Sequence, residues 1–233
     1  MSSVNSNPPE ERHKQLARAA ATGNEKTIRQ LVLESTWTSQ IDQDTLRRAL
    51  QSIAAYGYLP LSKFLIEHGA DVNRKRDNEV SALFRAAENG RTEVVKLLLK
   101  EGAETGATDR YGRSALHLTA LKGFTDIVRL LLNAKANPDA RDRERRTPLI
   151  HLAAEKSSNW NEEVVALLLQ KGADIEATDN AKRTPLQWAI ATGQYELSQL
   201  LLSGRFAKKA DVMGELLHIS SLYYEFTNSN SLQ

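Results

Sequence analysis

The stretch Asp109-Arg-Tyr-Gly-Arg-Ser-Ala-Leu-His-Leu-Thr-Ala-Leu-Lys-Gly123 recurs in altered form as Asp179-Asn-Ala-Lys-Arg-Thr-Pro-Leu-Gln-Trp-Ala-Ile-Ala-Thr-Gly193. The opening of its helical part stands four times in the chain, with spacings of 33, 33 and 37 residues: Ser81-Ala82-Leu83, Ser114-Ala115-Leu116, Thr147-Pro148-Leu149, Thr184-Pro185-Leu186. A fixed period of this length predicts stacked repeats, in which each copy is one supersecondary unit.

A leucine triplet follows each opening: Leu97–Leu99, Leu130–Leu132, Leu167–Leu169, Leu200–Leu202. The triplets predict the apolar stripe of a second helix in each repeat. Thr147 and Thr184 stand before a proline, as an N-cap stands before the first helical residue. Glycine follows six of the predicted helices, at 90, 123 and 193 after a first helix and at 69, 102 and 172 after a second, as suits a left-handed C-cap.

In these features the sequence resembles the ankyrin repeat. Gly69-Ala-Asp-Val-Asn73 and Gly172-Ala-Asp-Ile-Glu176 match the ending of the family's unit. The resemblance covers residues 14 to 210 and implies an all-α solenoid of helix-turn-helix units joined by β-hairpin loops. The first two repeats lack the Thr-Pro-Leu opening, and the fifth has a four-residue insertion between its helices.

These patterns predict the following divisions: a disordered leader 1–13, a degenerate capping repeat 14–44, repeats 45–75, 76–108, 109–141, 142–178 (with the insertion) and 179–211, a closing helix 212–226, and a flexible tail 227–233.

The composition excludes several classes of function. A net charge of +2 does not indicate nucleic acid or an anionic membrane, and the chain has no cysteine for disulfides or thiolate chemistry. No apolar run approaches the length that spans a bilayer. We expect a soluble monomer in the cytoplasm, with the nucleus as the alternative.

No recognisable catalytic, metal or cofactor motif is present, so we expect no enzymatic activity and no cofactor. His117 occupies the histidine position of the family signature, where the resemblance implies a hydrogen-bonding structural role. His151 is one residue out of that register, and we expect it to be structural and partly exposed.

The resemblance implies that partners bind the hairpin tips and the exposed side of the first helices. The tip positions are Asn78, Arg110, Tyr111, Arg113, Arg143, Glu144, Arg146, Asn180 and Arg183. The helix positions are Glu88, Asn89, Leu121, Lys122, Ala154, Glu155, Ala191 and Thr192.

Arginine at the tips favours a protein partner with an acidic or phosphorylated segment. The alternatives are an ordinary solvated surface and a nucleic-acid binder, since three of the four tip segments carry a net charge of only +1 and the fourth is neutral. No small-molecule substrate or membrane partner is expected.

Three tryptophans interrupt the pattern. Trp160, in the insertion, either binds a partner or packs on the outer helices, whereas Trp188 is expected to pack and Trp37 to cap the array. The chain is then an adaptor that occupies its partner's surface. Alternatively it is the recognition or regulatory segment of a larger signalling protein. The sequence does not identify the partner.

Overall fold

The computed structural model describes residues 9–33, 43–73, 80–156 and 160–208. Over these ranges the chain forms twelve helices: α1 Pro9–Thr22, α2 Glu25–Leu33, α3 Gln43–Tyr56, α4 Leu59–Glu67, α5 Ala82–Glu88, α6 Thr92–Lys100, α7 Ala115–Leu121, α8 Thr125–Asn133, α9 Pro148–Ala154, α10 Glu162–Gln170, α11 Pro185–Thr192, α12 Tyr195–Lys208. The all-α helix-pair solenoid expected from the sequence is confirmed.

The odd-numbered helices pack side by side into an inner layer, from α1 through to α11. The even-numbered helices from α4 to α12 pack into an outer layer. The four successive inner helices α3 to α9 approach closely because they carry alanine at the same position of the repeat, and these alanines are 0% exposed: Ala54, Ala87, Ala120, Ala153. The outer helices contribute the middle leucine of each triplet, also 0% exposed: Leu98, Leu131, Leu168, Leu201.

Helix ends follow the predicted chemistry. The hydroxyl of Thr147 accepts a hydrogen bond from the Ile150 N–H (3.3 Å), and that of Thr184 accepts one from the Gln187 N–H. The six predicted C-cap glycines have positive φ. In the fourth repeat Lys135 takes this conformation at φ 63°, where the second, third and fifth repeats place glycine.

The first two inner helices are longer than the pattern predicts. α1 and α3 have 14 residues each, whereas α5 has seven. Pro9 begins α1, so residues 9–13 are helical and not part of a disordered leader; proline suits a first helical position, where its missing N–H is not needed. α3 begins at Gln43, so the expected boundary at residue 44 falls inside a helix.

A buried arginine occupies the α3 extension. Arg47 occupies the position of the repeat that Arg113 occupies two repeats later, and Arg47 is only 2% exposed. Asp44 Oδ1 accepts from its Nε (2.9 Å) and Nη2 (2.7 Å), and Gln51 Oε1 accepts from Nη1. These bonds stabilise the guanidinium where the later repeats have a turn.

The connections between the later repeats are tight hairpin-like turns. The described residues contain a single isolated antiparallel bridge, between Thr108 and Ser114. The leader up to residue 8, Trp37, Asn78, the closing helix at 212–226 and the tail lie outside the described residues.

Candidate partner-binding face

Three five-residue turns, here called tips, project from repeats four to six: 109–113, 142–146 and 179–183. Each begins with an aspartate whose Oδ1 accepts two backbone N–H groups. Asp109 accepts from Tyr111 and Arg113 at 2.9 Å each, and Asp142 and Asp179 repeat the arrangement two and four residues on. The N–H of the same aspartate donates to the carbonyl of the fifth residue, which closes each tip.

Backbone hydrogen bonds also join one tip to the next. The Arg143 N–H donates to the Tyr111 carbonyl (2.9 Å), and the Asn180 N–H donates to the Glu144 carbonyl (3.0 Å). The three tips therefore form one continuous row along an edge of the solenoid, as the repeat pattern predicted.

The arginine at the fifth position of each tip is used within the protein. Arg113 pairs with Asp109 (Nη2 to Oδ2, 2.7 Å), and Arg146 pairs with Glu144 (2.6 Å). Arg183 Nε lies 3.5 Å from Asp179 Oδ2. Burial alone would raise the pKa of Asp109, but hydrogen bonds from Arg113 and Tyr111 offset this, and its pKa lies below the usual range.

Two aromatic rings also contact the tip arginines through cation–π interactions. The Tyr111 ring lies under the guanidinium carbons of Arg110 and Arg113, each 4.9 Å from its centroid. Trp188 lies under Arg183 (3.6 Å) and Arg146 (5.3 Å), and its indole N–H donates to Asp179 Oδ2 (2.9 Å). The packing role expected for Trp188 is consistent with these contacts.

Four other tip side chains keep their charge exposed. We call Arg110, Arg143, Arg145 and Lys182 the tip cations. None of them forms an ion pair with another described residue, and Arg110 contacts only the ring of Tyr111. The sequence analysis predicted Arg110 and Arg143 as binding residues but not Arg145 and Lys182. Arg145 and Lys182 have a positive φ (59° and 62°) at the position that holds glycine in the tip sequence Asp-Arg-Tyr-Gly-Arg.

A groove runs from the first described tip across the inner helices. The open groove has a volume of about 500 Å³ at its tip end and about 400 Å³ at its far end, and both parts are lined by Gln51 and Arg85. We call this the α3–α5 groove. It is lined at the tip end by Gln51, Val80, Phe84, Arg85, Glu88, Asp109, Arg110, Tyr111 and Arg113.

The groove brings together four residues that the sequence predicted to bind a partner: Glu88, Arg110, Tyr111 and Arg113. It also contains Arg85 and Gln51, which the sequence did not predict. At the far end it adds Tyr56, which is 53% exposed, beside the expected Asn89. Arg85 lies three residues before Glu88 on the same helix and forms an ion pair with it (3.2 Å). Because residues three apart lie on the same face of a helix, this spacing could have indicated from the sequence that Arg85 lies beside Glu88.

Several expected binding residues instead connect neighbouring repeats. Lys122 Nζ donates to the Glu88 carbonyl (2.6 Å), and Thr192 Oγ1 donates to the Ala153 carbonyl (3.0 Å). The Asn180 side chain donates to the Arg143 carbonyl (3.4 Å). Leu121, Ala154 and Glu155 are half-buried, and Ala191 is exposed.

The insertion residue Trp160 is half-buried and packs against the hydrophobic core. The next residue, Asn161, caps α10 by accepting from the Val164 N–H (2.9 Å) and donates to Thr125 Oγ1 (3.0 Å) of the preceding repeat. This end of the insertion is therefore tied to the scaffold, which favours the packing interpretation of Trp160. Residues 157–159 of the insertion lie outside the described residues.

The two central histidines are both buried. His117 Nδ1 accepts from the Ser114 N–H (3.1 Å) and lies 2.8 Å from Ser114 Oγ, while Nε2 lies 3.0 Å from the Arg146 carbonyl. Nδ1 therefore accepts and Nε2–H donates, in the structural role that the resemblance implied. Burial lowers the pKa of His117, although the hydrogen bond to Arg146 opposes this.

The expectation that His151 is partly exposed was wrong. The residue is 5% exposed, because α9 turns this side chain toward the tip of its own repeat and toward His117, whose ring centroid is 5.9 Å away. Neither ring nitrogen has a hydrogen-bond partner among the described residues. Burial and the neighbouring His117 lower the pKa of His151 to about 4, so its 3.8 Å approach to Asp142 is not an ion pair at neutral pH.

The described ranges contain no cluster of three or more histidine, aspartate or glutamate side chains placed to hold a metal ion. None of their helices combines the length and the apolar character needed to cross a membrane.

Comparison with known proteins gives one family. The family model for ankyrin repeats, built on three copies, matches residues 16–109 and, in a second match, residues 83–179. No curated protein matches the sequence significantly.

Proposed function

Because the chain belongs to the ankyrin-repeat family, with matches that span residues 16–179, we propose that it is a non-catalytic scaffold or adaptor that binds a protein partner through the tips and the inner-helix face. Ankyrin repeats are in general protein–protein interaction modules. The proposal includes a monomeric chain in the cytoplasm or, alternatively, the nucleus.

The tip cations carry this proposal. Ion pairs and aromatic rings inside the protein use Arg113, Arg146 and Arg183, so those arginines are explained by folding. The four tip cations form no ion pair with the described residues, and Arg110 alone among them lies over an aromatic ring, that of Tyr111. A row of exposed cations held on hydrogen-bonded turns complements an acidic or phosphorylated protein segment, and electrostatic complementarity of this kind favours specificity and fast association.

The test is affinity capture from an extract of the source cells. One variant replaces the four tip cations by glutamine. A control variant replaces four exposed lysines outside the tips and the inner helices by glutamine: Lys26, Lys96, Lys100, Lys171. The net charge changes equally in both. We expect the native chain and the control to recover a common set of proteins that the tip variant recovers at least tenfold less.

Recovery of the same proteins by all three chains would contradict the proposal. Recovery of nucleic acid of any sequence, with affinity that falls steeply as salt rises, would instead support the nucleic-acid alternative. The binding face is the same if the chain serves as the regulatory segment of a larger signalling protein.

A further inference from the structure

The tip end of the α3–α5 groove contains three guanidinium groups, which differ in how many hydrogen bonds they form within the protein. Arg113 is held by Asp109 Oδ2 through both Nε (2.8 Å) and Nη2 (2.7 Å). Arg85 makes one contact, from Nη1 to Glu88 Oε2 at 3.2 Å. Arg110 makes no hydrogen bond or ion pair with the other described residues. Arg85 and Arg110 therefore retain donors that no described residue uses, and among the described residues lining the tip end the three arginines outnumber the two acids.

Tyr111 positions the arginine side of this site. Its N–H donates to Asp109 Oδ1, and its carbonyl accepts from the Arg143 N–H, so its backbone is fixed at both ends. Its ring, in a residue that is 49% exposed, lies against Arg110 and Arg113. Stacking of this kind restrains a guanidinium before a ligand arrives, which reduces the entropy lost on binding.

We propose that the tip end of the α3–α5 groove binds a phosphorylated side chain of the partner, with Arg85 and Arg110 as the phosphate ligands and Tyr111 as the adjoining wall. The inference rests on the proposed function and specifies its partner. A phosphate group carries close to two charges and three strong acceptor oxygens, so it can accept from two guanidinium forks at once. A carboxylate has two oxygens and pairs fully with one fork. The tip end of the groove is open on one side, and its volume of about 500 Å³ lies within the range of ligand pockets.

The experiment uses the full chain and two synthetic pentapeptides, one with a central phosphoserine flanked by two glycines on each side and one with glutamate in its place. Binding is followed by amide chemical-shift changes during NMR titration. We expect the phosphoserine peptide to shift the amides of Arg85, Arg110 and Tyr111, and to bind at least fivefold more tightly than the glutamate peptide.

The variants Arg85→Gln and Arg110→Gln are each expected to weaken the phosphoserine peptide at least fivefold. Lys96→Gln, on the outer helix α6, is the matched control and is expected to stay within twofold of the native chain. Tyr111→Ala should weaken binding, and Tyr111→Phe should retain it, because phenylalanine preserves the stacked ring.

Equal binding of the two peptides would overturn the proposal. The proposal would also be overturned if Arg143→Gln lowered the affinity for the phosphoserine peptide as much as Arg85→Gln does. Binding would then depend on total charge and not on the residues of this groove. Arg85 is not among the tip cations, so the two proposals fail separately. If capture depends on the tip cations while the phosphoserine peptide leaves the groove unshifted, the proposed function stands and the phosphate site is wrong.

Discussion

At the residue scale, His151 is the least satisfied side chain near the candidate site. Its ring is buried and edge-on to His117, and neither nitrogen has a hydrogen-bond partner within the part of the chain that the structure describes. A neutral imidazole tolerates this position better than a charged one, because a buried charge requires compensating partners. The folded state therefore resists protonation of His151, while the unfolded chain does not.

This imbalance predicts acid sensitivity. The pKa of His151 falls from 6.5 in the unfolded chain to about 4 in the folded one, so the unfolded state binds more protons between these values. Its effect on stability is absent above pH 6.5 and grows as the pH falls toward 4, reaching about 2 kcal/mol at pH 5. His151→Leu should remove this part of the loss. Urea unfolding at pH 7 and pH 5 measures it, and an equal loss in both proteins would contradict the assignment.

The sequence predicted which tip residues lie on the binding face, but not which of them are free. Arg110 and Arg113 look alike in the sequence, and yet one is exposed while the other is bonded to Asp109. The distinction depends on how the aspartate closes the turn, which the sequence alone does not specify. The sequence likewise does not indicate that the Lys122 ammonium donates to a backbone carbonyl in the preceding repeat.

At the element scale, caps and leucine triplets sufficed to predict every helix pair from α5 to α12. The same signals failed at α1 and α3, because these helices lack the Thr-Pro or Ser-Ala opening that marks a start. The chain is helical from Gln43, and Arg47 is buried with Asp44 and Gln51 at the position where the later repeats have a turn. A buried arginine with an adjacent acid is a tertiary arrangement that periodicity does not encode.

The loops between repeats also share a side-chain bridge. Asn73 donates to the Gly102 carbonyl (3.0 Å) and accepts from the Glu104 N–H (2.8 Å), and Asp139 accepts from the Asp174 N–H (2.8 Å). Gly106 occupies the equivalent position in the third repeat and has no side chain to form the bridge.

Gly106→Asn should therefore stabilise the protein. A Cβ at this position meets no atom within 4 Å, and the backbone is not in the left-handed region. Gly106→Ala is the matched control. It should stabilise the protein by only about 0.4–1 kcal/mol, because it reduces the conformational entropy of the unfolded chain but adds no hydrogen bond. The asparagine should add about 1 kcal/mol for the new hydrogen bond to the following loop. Urea unfolding compares the two, and an asparagine no more stable than the alanine would show that no bridge forms.

At the scale of the whole molecule, stability comes from contacts between neighbouring repeats, because each helix pair buries its apolar surface against the next. Leu131 lies in the outer helix α8, which packs against both α6 and α10, and it is 0% exposed. Leu131→Ala should lower the free energy of unfolding by about 3 kcal/mol. The control Leu33→Ala changes a leucine that is 58% exposed and should cost less than about 1 kcal/mol. Similar unfolding midpoints for the two variants would contradict the stacked core.

The same stacking fixes the tips as one row, and the central claim is that a protein partner binds there. Site-directed photocrosslinking tests it most directly. The photoreactive residue p-benzoylphenylalanine replaces Tyr111, an exposed aromatic position on the row, or Lys96 on the outer helix α6. After irradiation in extract of the source cells, we expect discrete protein adducts from position 111 and none from position 96. Adducts from position 96 alone, or from neither position, would contradict it.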